Sequence, residues 1–331
     1  MPSSLAIRVD ASPQRGLGHL VRMGRLADAL TARGHGVRFL TDAGSLGERL
    51  LREQGRDIAI MDGADDFATL TRVTATVDLT VFDVLDTRDD EIDAVSTGHM
   101  VCFDDCGAGL RRAAAVINPI VFSWNRYLPG CRQGLFEGPD YMILPPRLVA
   151  ARPMVAAKAH RLLMAFGGTD THGLSGRMLT LLGALPRSLH VRLNLGPGAV
   201  PSPTLEQAVR TSLHRVDILR GVPDLVAEMV RADLVICGGG IMLYELTAMG
   251  VPCAALATED HEVLNIAWFA GQGCIADLGN HAVLTADILA KRVTPLLDDG
   301  AVRRRLSDTG KATVDGQGLS RVVTIIEDLL S

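Results

Sequence analysis

Short apolar runs without polar alternation recur along the whole chain, "LLMAF" (162–166) and "LVIC" (234–237) among them. A strand with one face in water alternates apolar and polar residues. A run that is apolar at every position is covered on both faces, as in a parallel sheet flanked by helices. This pattern predicts strands near 5–11, 36–42, 57–61, 79–85, 99–104 and 114–119, then near 161–166, 190–195, 215–219, 234–237, 252–257 and 274–278. Helical spacing predicts helices over 19–33, 172–185, 223–231, 241–249, 263–271, 285–297 and 318–330. In the first of these, Leu20, Met23, Ala27 and Leu30 share one face and Gly34 provides the stop. Strand–helix alternation of this kind implies an α/β protein built from doubly wound parallel sheets.

The alternation restarts halfway, and 331 residues suit about two domains. The break falls in "YMILPPRLVAARPMVAAKAH" (141–160), interrupted by Pro145, Pro146 and Pro153. The predicted division is an N-terminal domain over 1–150, a C-terminal nucleotide-binding domain over 158–316, and a helix over 317–331 that packs back on the first domain. Residues 122–140 read as a long irregular surface loop, a kind of segment often tied to function.

Bulk properties exclude several classes. A net charge of −5 and 4% aromatic residues offer neither a basic footprint nor stacking faces, so no nucleic-acid partner is expected. No stretch approaches ~20 apolar residues, so no membrane span is expected. "MPSSLAIRVD" has no basic region leading into a long apolar run, which predicts a cytoplasmic chain. Cys102, Cys106, Cys131, Cys237, Cys253 and Cys274 form no metal-ligand spacing and read as reduced thiols. No cofactor or metal is expected, and the oligomeric state is left open with a monomer expected.

Three glycine loops carry the chemistry. In "RVDASPQRGLGHLVRM" (8–23) a strand ends near Asp10, and Gly16 and Gly18 lead into a helix that starts with His19. Glycines permit close backbone approach, and the amides of a helix start attract an anion such as a diphosphate. The same helix end disfavours a protonated imidazole, which suits His19 to accept a proton as a general base. The plainer alternative for His19 is a helix cap or a surface residue. The loop is not the GxGxxG fingerprint, and no acidic residue is placed for a ribose about twenty residues on, so no nicotinamide cofactor is implied. The second loop is Gly238, Gly239 and Gly240, between a strand and a helix that carries Glu245 one turn in. A carboxylate there can accept both ribose hydroxyls. The third is "FGGTDTHG" (166–173), in which Gly168 and Thr169 are candidates for diphosphate or sugar contacts and Asp170 or Thr171 for a cap.

"IRVDASPQRGLGHLVRMGRLADAL", "GPDYMILPPRL", "FGGTDTHGLS", "ADLVICGGGIMLYELTAMGVPCAAL" and "VDGQGLSRVV" follow in order along nearly the whole chain. Together they resemble the UDP-sugar hydrolases of pseudaminic acid biosynthesis. That family is similar in turn to the UDP-GlcNAc transferase of peptidoglycan synthesis and other GT-B proteins. The resemblance implies a GT-B fold, two Rossmann-like domains facing a cleft, with UDP bound mainly by the C-terminal domain. It implies metal-independent attack of water on the anomeric carbon of a UDP-linked 2,4-diacetamido-2,4,6-trideoxyhexose, with inversion. His19 matches the family's base, Glu245 its ribose-binding glutamate, and Asp10 and Arg22 fall in its first signature.

Some positions depart from that pattern. Gly239-Gly240-Ile241-Met242 stands where the family has Gly-Gly-Ser-Thr, so Met242 replaces a phosphate-binding hydroxyl. Asp260-His261-Glu262 stands where the family has Asp-Asn-Gln, in a region that faces sugar or diphosphate, which makes Asp260 and His261 candidates. "LPPRL" replaces an arginine-containing segment, with Arg147 as the one arginine available to take its place. The leading expectation is a UDP-sugar hydrolase with a small-molecule substrate. An inverting GT-B glycosyltransferase and a non-catalytic nucleotide-sugar-binding partner are the alternatives.

Overall fold

A computed structural model describes the chain apart from residues 1, 10–17, 85–86, 104–106, 122–133, 152, 197, 201 and 223–224. It divides into two compact units, residues 1–145 with 316–331, and residues 146–315.

The first unit runs β1 (Ser4–Val9), α1 (Gly18–Ala32), β2 (Gly36–Asp42), α2 (Leu46–Glu53), β3 (Ile58–Met61), α3 (Phe67–Thr74), β4 (Leu79–Asp83), α4 (Asp89–Asp93), β5 (His99–Phe103), β6 (Ala115–Asn118) and β7 (Leu135–Glu137). The second runs α5 (Pro146–Val149), β8 (Arg161–Ala165), α6 (Leu174–Leu182), β9 (His190–Leu195), α7 (Pro203–Thr211), β10 (Arg215–Arg220), α8 (Val226–Arg231), β11 (Leu234–Gly238), α9 (Ile241–Met249), β12 (Cys253–Ala257), α10 (Glu262–Gly271), β13 (Ala276–Asn280), α11 (Ala286–Asp298) and α12 (Gly300–Thr313). The last helix, α13 (Gly318–Leu330), belongs to the first unit.

Both sheets are parallel throughout, in the orders β3-β2-β1-β4-β5-β6-β7 and β10-β9-β8-β11-β12-β13. These are two doubly wound, Rossmann-like sheets. In each, the strand order reverses once, between β1 and β4 and between β8 and β11. Loops leaving the carboxyl ends of two such strands diverge to opposite faces and leave a crevice, where ligands of open α/β sheets bind.

Burial follows the periodicity. Leu20, Met23, Leu26, Ala27 and Leu30 of α1 share one buried core with Leu5, Ile7, Leu79 and Val81 of the sheet. Val322, Val323 and Ile326 of α13 join the same core. The opposite face of the first sheet packs Leu40, Met61, Phe82 and Cys102 against α3 and α4 residues such as Leu70 and Ile92. The cysteines at 102, 237, 253 and 274 are buried and reduced; Cys106 and Cys131 lie outside the described residues. No helix among the described residues is long and apolar enough to cross a membrane.

The structure corrects the sequence reading at particular segments. Residues 135–137, read as irregular loop, form β7 and pair with β6 (Val116↔Leu135); the three-residue run is too short to carry a period of its own. The helices α5, α7 and α12 lie outside the helices expected from helical spacing, while α2, α3 and α4 fall between first-half strands, where the alternation implies helices without fixing their bounds. α2 is strongly amphipathic but only eight residues long, about two turns, while α12 is mostly polar and its few apolar residues leave a weak periodic signal.

Candidate functional site

In the first unit, the crevice between β1 and β4 receives the start of α1 and the end of β4. His19, partly buried in the first turn of α1, places Nδ1 2.5 Å from Oδ1 of Asp83. Asp83 is the last residue of β4 and is fully buried. Arg22, one turn further along α1, holds the same carboxylate with two N–H donors, Nε to Oδ2 at 2.6 Å and Nη2 to Oδ1 at 2.5 Å. Its guanidinium also lies over the Phe103 ring, 5.6 Å from the centroid. Burial alone would raise the Asp83 carboxyl; the paired Arg22 guanidinium, with a smaller share from His19, outweighs it and holds Asp83 well below the usual carboxylate range.

This arrangement assigns roles to atoms. An ionised Asp83 only accepts, so the neutral imidazole presents Nδ1–H to it, and Nε2 remains as the basic nitrogen. A buried carboxylate that orients an imidazole in this way is the geometry of a general-base pair. Arg22, a substrate-binding candidate from the sequence, is 6% exposed and commits two donors to Asp83. It therefore positions the pair. Gly18 is the first residue of α1, while Asp10 and Gly16 lie outside the described residues. Asp83 was missed by sequence reasoning. Its signal was a charged residue closing the otherwise uncharged, fully buried strand "LTVFD".

In the second unit, the crevice between β8 and β11 opens into a cavity of about 400 Å³. Gly167, Gly238, Gly240, Met242, Glu245 and Glu262 are among the residues lining it. Gly240 caps α9 with no side-chain hydrogen bond, so the amides of the first turn receive no acceptor from the cap. Glu245 is half-buried, one turn into α9.

The glycine turn is not uniformly open to a ligand, as the sequence reading had it. The Gly239 N–H donates to Glu262 Oε2 at 3.2 Å. The same oxygen accepts from the Thr258 N–H and hydroxyl, each at 2.8 Å. The Gly239 carbonyl accepts from Asn265 Nδ2, and Asn265 Oδ1 accepts from the Tyr244 hydroxyl at 2.7 Å. Both polar atoms of Gly239 are thus engaged by α10, which leaves the start of α9 as the part of this loop suited to an anion.

The remaining candidates are dispersed. Gly168 and Thr169 are exposed beside Gly167 but do not line the cavity. Asp170, at φ 48°, accepts from the Leu174 and Ser175 amides at 2.7 and 3.1 Å. It occupies the start of α6 as a cap, which removes that helix end as an anion site. Asp260 and His261 are exposed and absent from the lining; Asp260 Oδ1 stands 3.5 Å from Asn280 Nδ2. The third residue of that triplet, Glu262, is the one that reaches the cavity. Sequence reasoning noted it only as a departure from a glutamine.

Two Rossmann-like parallel-sheet units, each with a single reversal of its strand order, match the GT-B class of structures. The chain is 15% identical to the crystal structure of Acinetobacter baumannii MurG, with a TM-score of 0.73 over 99% of this chain and 100% of that one. It is 29% identical over 338 residues to the spore coat polysaccharide biosynthesis protein SpsG of Bacillus subtilis (strain 168), covering 98% of each. It is also 30% identical over 120 residues, 35% of this chain and 32% of the relative, to the UDP-N-acetylglucosamine–N-acetylmuramyl-(pentapeptide) pyrophosphoryl-undecaprenol N-acetylglucosamine transferase of Acetivibrio thermocellus. No family model matches the chain.

Proposed function

We propose that the chain is an enzyme acting on a nucleotide sugar, and that it hydrolyses a UDP-linked 2,4-diacetamido-2,4,6-trideoxyhexose to free sugar and UDP. The observation that carries the catalytic part is the His19–Asp83 pair, whose Nδ1 is fixed by a buried carboxylate. Nucleotide-sugar chemistry is supported by the UDP-N-acetylglucosamine transferase relative and by the polysaccharide biosynthesis relative that matches nearly end to end.

In this reading His19 Nε2 takes a proton from water as the water oxygen bonds to the anomeric carbon. The bond from that carbon to the diphosphate oxygen breaks, and its electron pair leaves with UDP. The uncapped start of α9, in the second unit, is suited to hold a diphosphate. Glu245 accepts the ribose hydroxyls. Asp83 keeps the imidazole oriented and stabilises the imidazolium formed in the step.

The transferase relatives favour a second reading, in which His19 deprotonates an acceptor hydroxyl. A panel of UDP-sugars, with UDP release followed by NMR, separates the two. Release in buffer alone supports hydrolysis, and release only with an added acceptor extract supports transfer. UDP binding with no turnover in either condition refutes both and leaves a binding protein.

A further inference from the structure

Among the described residues, the cavity of the second unit is lined by two carboxylates, Glu245 and Glu262, and by no lysine, arginine or histidine. Glu262 is 8% exposed, and its two oxygens are unequal. Oε2 takes the hydrogen bonds from Gly239 and Thr258. Oε1 has no hydrogen-bond partner among the described residues, and it lies 3.5 Å from where a Cβ on Gly240 would stand, on the cavity wall. An unpaired carboxylate oxygen in a recess attracts positive charge and repels a phosphate. Yet the uncapped start of α9, at Ile241 and Met242 on the same wall, favours an anion. An anion that brings a positive charge with it meets both preferences at once.

We propose that a diphosphate ligand enters this cavity together with a compensating positive charge seated against Glu262 Oε1. The proposal rests on the nucleotide-sugar reading above. Two sources fit the chemistry. One is a divalent cation such as Mg²⁺, which is commonly held by one or two protein carboxylates plus substrate phosphates and keeps several waters. The other is a proton from solvent, which turns Oε1 into a donor toward a phosphate oxygen. The elements packed against the helix of Glu262 are β12 and β13, with the turn from β11 into α9 bonded to Glu262 itself. The titratable side chains they bring are Glu245 and Tyr244 on α9, the latter bonded to Asn265, Cys237 on β11, Cys253 on β12, Asp277 on β13, and Glu259, Asp260 and His261 ahead of α10, with Glu259 bonded to His172.

The test uses UDP as the probe and the full chain, by calorimetry, in EDTA or in millimolar Mg²⁺ and at acid or alkaline pH, at constant ionic strength. The expected result is wild-type affinity that rises about tenfold or more with Mg²⁺ or on acidification, about what one unmatched charge contact is worth at a partly buried site. Glu262→Gln is expected to bind UDP in EDTA at alkaline pH as tightly as wild type does in its best condition, having lost the dependence. Mg²⁺ dependence alone identifies the metal ion, and pH dependence alone the proton. Equal wild-type affinity in all four conditions overturns the proposal without any variant. So does a dependence that persists in Glu262→Gln, since it then belongs to UDP itself. If wild type binds no UDP in any condition, the nucleotide-sugar reading falls as well; charge-independent binding overturns this proposal alone.

Discussion

Asp83 is a fully buried carboxylate shared by an arginine and a histidine, and breaking such a group is costly from either side. Asp83→Asn leaves Arg22 buried without its counter-charge. The expected loss is about 3–5 kcal/mol of stability, read as a shift of the urea midpoint. The folded carboxyl lies below its unfolded value, so the pairing stabilises the fold above the usual carboxylate range and is lost as pH falls below about 4. The stability gap between wild type and Asp83→Asn is therefore expected to narrow steadily on acidification. His19→Ala removes the base and leaves the buried Arg22–Asp83 pair in place. It is expected to lower the rate of UDP release about 10²- to 10⁴-fold with an unchanged circular dichroism spectrum. An unchanged rate removes His19 from the mechanism. His19 was legible in the sequence because it sits beside glycines at a helix start. Asp83 was not, because nothing in residues 79–83 marks which side chain 64 positions away it meets.

At the scale of the element, the turn from β11 into α9 is held by α10 rather than by its own glycines. A Cβ on Gly239 would stand 2.8 Å from Glu262 Cβ and 2.8 Å from Ile266 Cδ1, so α10 must move. Gly239→Ala is expected to cost about 1–3 kcal/mol as overpacking and to weaken UDP binding in titration calorimetry. Gly240→Ala meets only Glu262 Oε1 at 3.5 Å, at a negative φ, and is expected to leave the thermal midpoint unchanged. Equal effects of the two substitutions would show that the turn does not depend on α10. The triple glycine was visible in the sequence as a loop of the right kind. That its middle member serves packing, and that Asp170 already fills the start of α6, depends on neighbours from other elements. The strand β7 was missed for a related reason: three residues carry no repeat, and their place in the sheet is set by pairing with β6. In α12 too few residues are apolar to show one.

For the molecule as a whole, α13 returns the end of the chain to the first unit. Val322, Val323 and Ile326 are at most 1% exposed there, packed in one core with α1 and the sheet. Fully burying such side chains is worth about 1.5–3 kcal/mol each, so the three together approach the ~5–15 kcal/mol that holds a domain folded. A chain ending at residue 315 is expected to lose the unfolding transition of the first unit and keep that of the second. Calorimetry and limited proteolysis check this, and two intact transitions would refute it.

By itself, the sequence determined the two runs of strand–helix alternation, the parallel class of both sheets and the glycine turns that follow β8 and β11. These depend on periodicity and on turn residues, which are set among neighbours a few positions apart. The tertiary structure alone decided that Asp83 orients His19, that Arg22 is spent on that carboxylate, and that Glu262 holds Gly239 across 23 positions. Those contacts follow from which strands lie side by side where the order reverses, a long-range property that leaves no period in the chain.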